Sequence, residues 1–112
     1  MVLEELRSGH YNTDLGASLA MLCRDQMSHI DARTTVIVLG DGRNNYNDPR
    51  LDCLEAVKAR CRRIVWMNPE APYLWGSGDS DMPAYQPLAD AVHEVGNLAQ
   101  LAKAVDTLFD YR

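Results

Sequence analysis

The chain has 112 residues, of which 46% are hydrophobic and 24% are charged, so it can form one small globular domain around a single core. Its formal net charge of -5 and its pI near 5.0 argue against nucleic acid or an anionic membrane surface as a partner, since both require a positive field. No apolar run approaches the roughly 18 residues that span a membrane, and the opening residues lack the apolar core of a signal peptide.

The cysteines and histidines indicate a reduced protein without a zinc site. Cys23, Cys53 and Cys61 cannot all pair with one another, and no two of them are spaced as Cys-x-x-Cys. We expect them to be reduced and mostly buried, as in a cytoplasmic protein. The three histidines are scattered without the spacing of zinc ligands.

The first predicted element is a helix from about Asp14 to about His29. Its apolar residues recur at helical spacing: Leu15, Leu19 and Leu22. The expected N-cap is Thr13 or Asp14. Gly16 lies in the first turn, where a residue without a side chain lets another group approach the helix N-terminus closely.

A strand from Thr35 to Leu39 follows, and its apolar residues do not alternate with polar ones, as in a parallel-sheet strand buried on both faces. Directly after it, Asp41 stands between Gly40 and Gly42 at the start of a polar loop. Ligand sites of open α/β sheets lie beyond the carboxyl ends of the strands, which makes Asp41 a candidate functional residue. The structural alternative is that Asp41 only caps a turn or the next helix.

A βαβ unit is predicted around this loop. Asp48 as N-cap and Pro49 as the first helical residue indicate a helix that runs to about Arg62. The second strand covers Arg63 to Met67 and is again apolar without alternation. The crossover between the two strands should be right-handed.

A long loop is predicted from Asn68 to Pro83, where three prolines and two glycines interrupt any periodicity. Within it, Trp75 either anchors a partner or closes the end of the core. A short helix over residues 84–89 and a short strand over residues 91–95 follow, and Asn97 is expected to cap a final helix. The stripe predicted to be buried in that helix consists of Leu98, Leu101, Ala102, Val105, Leu108 and Phe109.

Three oxygen-rich segments lie beside strand or helix ends, at residues 12–14, 40–42 and 78–81. Hydroxyl and carboxylate oxygens of this kind suit a hard cation such as Mg²⁺. The N-terminus of the first helix would alternatively suit an anion. The two carboxylates of the third segment are either a second cation site or simply solvated.

In this order the segments resemble the C-terminal half of a von Willebrand factor A (VWA) domain of the CoxE-like group. The resemblance is carried by NTDLGASL, VIVLGDGRNNYNDPR, RIVWMNPEAPYLWGSGDSDMPAY and NLAQLAKAVDTLF, and it covers nearly the whole chain from Asn12 onward. It implies an α/β fold of three layers, Rossmann-like, in which a short parallel sheet of about three strands is flanked by helices. Residues 1–112 would form a single, truncated VWA-like domain.

The resemblance also implies a partial metal-ion-dependent adhesion site, with the family's threonine at Thr13 and its aspartate at Asp41. The family's Asp-x-Ser-x-Ser is missing, so we expect Mg²⁺, or another divalent cation, to bind weakly or not at all in the isolated chain. Gly40 and Gly42 would let the backbone of a partner come close. The expected rim contacts are Arg43, Asn44, Asn45, Trp75 and Asp79. For the asparagines the alternative is hydrogen bonding within the loop.

The family's first three strands are also missing, which would leave the strand from Thr35 to Leu39 as an unprotected edge. We expect the chain either to self-associate through that edge, most simply as a two-fold dimer, or to cover it with its N-terminal segment. Whether the chain is a fragment of a longer protein or a short relative stays open.

The function implied by the resemblance is that of a non-enzymatic, cytoplasmic interaction module. Its expected partners are a MoxR-type AAA+ ATPase and a client metalloenzyme that undergoes maturation. Two alternatives stay open. One is a Mg²⁺-dependent phosphoryl-transfer or hydrolytic enzyme that uses Asp41, although the chain has no Walker-type glycine loop. The other is a fold remnant without metal function.

Overall fold

The computed structural model describes residues 14–110, with only the backbone described at residue 110. Four helices and three strands occur in this part of the chain, together with three single turns of 3-10 helix. In chain order they are α1 (Leu15–Asp25), β1 (Thr35–Leu39), α2 (Leu51–Arg60), β2 (Arg63–Asn68), α3 (Met82–Tyr85), β3 (Ala91–Glu94) and α4 (Leu98–Asp110). The 3-10 turns are Met27–His29, Pro72–Leu74 and Gln86–Leu88.

The strands form one parallel sheet in the order β1-β2-β3. The register sets Ile37 of β1 opposite Val65 of β2, and Met67 of β2 opposite His93 of β3. The α/β fold with a short parallel sheet is therefore confirmed. All three strands were predicted, with ends that differ by no more than one residue.

Two separate cores lie on the two faces of the sheet, because successive side chains of a strand point to opposite sides. On one face, Val36, Val38 and Trp66 pack with helices α1, α2 and α3. On the other face, the sheet packs against α4 alone among the described elements, and the buried residues are Ile37, Val65, Met67, Ala104 and Leu108. Helices on both faces give the three layers that were expected.

The helix ends correct two predictions. Asp14 is the N-cap of α1, and its carboxylate accepts a hydrogen bond from Ala17 N at 3.0 Å, but the helix ends at Asp25 rather than near His29. Helix α2 does not begin at Asp48 and Pro49. The Asp48 carboxylate accepts from Arg50 N at 2.8 Å, and Arg50 takes a left-handed backbone (φ 52°) as the N-cap. This local turn delays the start of the helix.

The stripe predicted to be buried in α4 is mostly wrong. Asn97 does cap the helix, since its side chain accepts from Gln100 N at 2.8 Å. Ala104 and Leu108 face the sheet, whereas Leu98 is 84% exposed and Phe109 is 71% exposed. A helix that contacts only one sheet face buries a narrow stripe, and the remaining apolar residues stay in solvent.

All three cysteines are free thiols, and Cys53 is buried. Burial raises the pKa of the Cys23 thiol to about 11. No helix within residues 14–110 has the length and apolar character needed to cross a membrane.

Candidate functional site

Two loops meet beyond the carboxyl edge of the sheet. The β1 loop (residues 40–50) and the β2 loop (residues 69–81) are joined by a hydrogen bond from Asp81 N to Gly42 O at 2.8 Å, and by an antiparallel bridge between Arg43 and Ser80. The N-terminus of α1 joins them, because Leu15 N donates to Arg43 O at 3.2 Å. The predicted loops therefore do converge at one end of the sheet, as parallel strands require.

Asp41 lies directly beyond β1 in this junction. Its Oδ1 accepts from Arg43 N at 2.9 Å, and the carboxyl is partly buried. Burial raises the pKa of Asp41 above its ordinary value, and the negative charge of Glu70 adds to the shift. The backbone here is held from the next strand, since Trp66 Nε1 donates to Gly40 O at 2.8 Å. Asp41 is thus a partly desolvated carboxyl on a well-anchored loop.

Replacing Asp41 with asparagine is expected to stabilise the fold at neutral pH, because the raised pKa means that ionisation of the buried carboxyl costs folding free energy. A carboxyl whose pKa is higher in the folded chain binds more protons there, so the wild-type chain regains this stability as the pH falls through the folded pKa. In urea unfolding, the midpoint of D41N should exceed that of the wild type at neutral pH, and the difference should shrink in acid.

The variant Asp79→Asn serves for comparison, because its expected change in stability at neutral pH has the opposite sign to that of D41N. The Arg43 guanidinium holds the pKa of Asp79 below its ordinary value, so Asp79 contributes stability above its unfolded pKa and loses it as the pH falls through the folded pKa. D79N should therefore lower the urea midpoint at neutral pH. A D41N variant less stable than the wild type at neutral pH would show that the Asp41 charge is favourable to folding.

Arg43 joins the two loops through ion pairs. Its guanidinium binds both carboxylate oxygens of Glu70 at 2.9 Å, and Nη1 binds Asp79 Oδ1 and Ser77 O, also at 2.9 Å. These carboxylates raise the pKa of Arg43 further above its ordinary range. Of the residues expected at the rim, Arg43 and Asp79 therefore bind each other within the site and hold it together.

Asn44 is not at the rim, which corrects its expected role. It is 0% exposed, and its Oδ1 accepts from Gly16 N at 2.6 Å. Its Nδ2 donates to Asp81 Oδ2 at 2.8 Å and to Tyr85 Oη at 2.9 Å. The Tyr85 hydroxyl in turn donates to Pro49 O at 2.6 Å. Asn44 thus connects α1, the β2 loop and α3. The alternative, hydrogen bonding among the asparagines of the loop, does not describe its side chain either, because all three of these bonds go to other segments of the chain.

Gly42 and Trp75 also have structural roles. Gly42 has a φ of 80°, and a Cβ at this position would lie 3.1 Å from the Met82 sulfur, so the turn and the close packing both require glycine. The Trp75 indole packs against the core, and its Nε1 donates to Glu70 O at 2.9 Å. Gly40 is partly buried at the end of β1. Thr13 lies outside the described residues.

The exposed part of the site is the tip of the β1 loop. Asn45 is exposed, and its backbone N donates to Asp79 Oδ2 at 2.8 Å. Asn45 and Tyr46 are consecutive residues with a left-handed backbone (φ 50° and 63°). In this conformation the Tyr46 side chain is 81% exposed. Tyr46 borders a shallow cavity between the two loops, beside Asp79 and Asp81. Tyr46 is not among the site residues predicted above, although an aromatic residue between Asn45 and Asn47 in a polar loop is a signal that could have indicated it.

The described side chains do not by themselves fit a Mg²⁺ site. Within residues 14–110 no three His, Cys, Asp or Glu side chains are grouped so that they could hold a metal ion. Of the two ligands expected, only Asp41 belongs to the described part of the chain. A single carboxylate supplies too few of the oxygens that the octahedral ion requires for tight binding.

Comparison with known proteins identifies the family. The family model described as "VWA domain containing CoxE-like protein" matches residues 2–104, so the match begins earlier in the chain than the resemblance noted from Asn12 onward. A search of curated proteins and a search of solved structures both found no match. Because the family model covers most of the 112 residues, the chain belongs to the family of VWA-domain proteins of the CoxE-like type.

Proposed function

We propose that this chain is a non-enzymatic interaction module that works in the cytoplasm with a MoxR-type AAA+ ATPase during maturation of a client metalloenzyme. Membership of the CoxE-like VWA family supports an interaction role. The observation that carries the proposal is the position of the partly buried Asp41 carboxyl, directly beyond β1 at the carboxyl edge of the sheet, where its Oδ1 accepts from Arg43 N at 2.9 Å.

The rigidity of the two loops supports recognition by this edge of the sheet. The ion pairs of Arg43 with Glu70 and Asp79, and the buried amide of Asn44, hold the β1 loop on the β2 loop. Loops that are already ordered lose little conformational entropy when they bind a partner. Side chains on them can therefore contribute most of their contact energy to the complex.

Two exposed aromatic residues provide the contacts. Tyr46 on the β1 loop is 81% exposed, and Tyr73 on the β2 loop is 84% exposed. Tyrosine is enriched among the residues that dominate binding energy at protein interfaces. We assign both side chains to the surface that meets the ATPase or the client.

We further propose that a divalent cation at Asp41 binds in the complex and not in the isolated chain. Asp41 would be its ligand from the described residues, in which no three His, Cys, Asp or Glu side chains are grouped to hold a metal ion, so the remaining oxygens would come from Thr13, water or a carboxylate of the partner. A cation would supply a coordination position for that partner carboxylate.

Titration calorimetry of the full chain against a MoxR-type AAA+ ATPase of the same genome, with Mg²⁺ or with a chelator, tests this proposal. Tyr46→Ser should weaken binding about tenfold or more, as expected for an exposed aromatic anchor. D41N should remove the Mg²⁺ dependence, and because it is expected to fold at least as well as the wild type, the loss cannot come from unfolding.

Met21→Ser is the matched control, because Met21 is an exposed apolar residue of α1, outside both loops. Its affinity should stay within about twofold of the wild type. Absence of binding to the ATPase under both conditions, or equal losses in Y46S and M21S, would refute the proposed surface.

A further inference from the structure

Three arginines lie together at the amino edge of the sheet, where β1 and β2 begin. Arg62 N donates to Thr34 O at 2.8 Å, which places the residue before β2 beside the residue before β1. Arg33 directly precedes Thr34 in the chain, and Arg60 Nε donates to Ile30 O at 3.1 Å. The three arginines therefore all border the short connection that leads into β1, and we refer to them as the amino-edge patch.

The amino-edge patch is exposed and positively charged. None of its three side chains forms an ion pair with a carboxylate in the part of the chain that the structure describes. Asp31 lies in the same connection, but its Oδ1 accepts from Arg33 N at 2.8 Å and so holds the turn. Asp90, near the start of β2, is paired with Lys58. One carboxylate thus stands against three guanidinium groups.

This charge contrasts with the rest of the molecule. The chain has a formal net charge of -5, and its carboxyl edge carries Asp41, Glu70, Asp79 and Asp81. Like charges that are grouped on an otherwise acidic protein repel one another and create a local positive field. An anionic partner would relieve that repulsion, so the amino-edge patch is suited to bind one.

We propose that the amino-edge patch binds an acidic peptide segment of a partner protein. Guanidinium groups bind carboxylates through two parallel hydrogen bonds, which makes arginine more suitable than lysine for this recognition. Nucleic acid fits less well, because its long phosphate backbone would meet the negative field of the remaining surface.

The acidic edge of a second copy of the chain also fits less well, because its carboxylates are already engaged. Arg43 binds Glu70 and Asp79, and the Asn44 amide binds Asp81. A separate peptide, by contrast, brings carboxylates that are free to bind the three guanidinium groups.

The amino-edge patch is distinct from the surface proposed for the ATPase or its client. In a parallel sheet the strands begin at one edge and end at the opposite one, so the patch and the β1 loop lie at opposite ends of the sheet. The inference therefore does not rest on the proposed function. Exposed ion pairs are individually weak and are screened by salt, so we expect a dissociation constant of about 10–100 μM that rises with ionic strength.

Fluorescence anisotropy of the full chain with a fluorescein-labelled oligoglutamate peptide, at low ionic strength, tests the inference. The double variant R33Q/R62Q should raise the dissociation constant about tenfold or more. Within the described residues no hydrogen bond or ion pair involves either of these two side chains, so the substitutions remove no structural contact. The control is R24Q/K103Q, which changes the net charge by the same amount at exposed positions of α1 and α4 and should stay within about twofold of the wild type.

Further probes establish what the patch recognises. An oligoglutamine peptide of the same length should not bind, and Y46S should bind oligoglutamate as the wild type does, because Tyr46 lies at the other end of the sheet. Circular dichroism verifies folding, and R33Q alone replaces the double variant if that one is unfolded. Three results would each overturn the inference: no binding of oligoglutamate by the wild type, equal losses in R33Q/R62Q and R24Q/K103Q, or tighter binding of a single-stranded oligonucleotide of the same charge.

Discussion

Replacing Asn44 with alanine should lower the free energy of unfolding by about 3 kcal/mol or more, because it removes three hydrogen bonds from a fully buried position. Gly16 N and the Asp81 carboxylate would each lose their bond to Asn44, and the Tyr85 hydroxyl would keep only its bond to Pro49 O. Buried polar groups without a partner cost about 1–3 kcal/mol apiece, which makes this loss larger than that of a typical substitution. Urea unfolding followed by circular dichroism measures the change.

Two variants calibrate the Asn44 result. Asn47→Ala removes the same side chain from an exposed position of the same loop, where Nδ2 reaches Asp14 Oδ2 at 3.3 Å, and should cost no more than about 0.5 kcal/mol. Tyr85→Phe keeps the packing but removes one partner of Asn44, and should cost about 1–2 kcal/mol. Equal, small effects of N44A and N47A would mean that the buried amide of Asn44 does not contribute to holding the loops together.

Gly16→Ala should destabilise the fold by about 3 kcal/mol or more, although alanine is the better helix former by about 1 kcal/mol. A Cβ at residue 16 would meet the Asp48 carbonyl oxygen and the carbonyl carbon of Pro49. Both contacts are with backbone atoms, so the β1 loop would have to move away from α1. The movement would also strain the bond from Gly16 N to Asn44.

The neighbouring residue separates packing from helix propensity. Ala17→Gly lies in the same first turn but is exposed, and it should cost about 1 kcal/mol by propensity alone. The two substitutions are chemical opposites, so propensity predicts opposite signs for them. Loss of stability in both variants, with the larger loss in G16A, would confirm the close approach. A gain in G16A would contradict it.

Most of the fold could be predicted because the signals are local. The runs TTVIVL and RIVWM are apolar without alternation, and a strand with both faces covered requires that composition. Leucines at helical spacing predicted α1, and Asn97 predicted the start of α4. Gly16 also predicted that another segment approaches the N-terminus of α1 closely, because a helix tolerates glycine in its first turn at little cost.

The predictions were wrong where contacts with residues distant in the chain determine the local structure. Asp48 and Pro49 form a strong local start signal, yet the left-handed Arg50 delays α2, because the β1 loop must reach the N-terminus of α1. The stripe of α4 is apolar over a wide arc, but how much of it is buried depends on what lies beside the helix. The sequence of α4 predicts the apolar arc, but it does not predict which other element packs beside the helix.

The sequence by itself determined the α/β class, the position of Asp41 beyond β1 and the membership of the CoxE-like VWA family, because strand composition, glycine placement and motif order are properties of short segments. Only the tertiary structure decided that Arg43, Asn44 and Asp79 bind one another and their neighbours, that Tyr46 is exposed, and that Leu98 and Phe109 of α4 are exposed as well. These are relations between residues far apart in the chain, and the hydrogen-bond partner of a polar side chain is chosen by the packing of the whole domain.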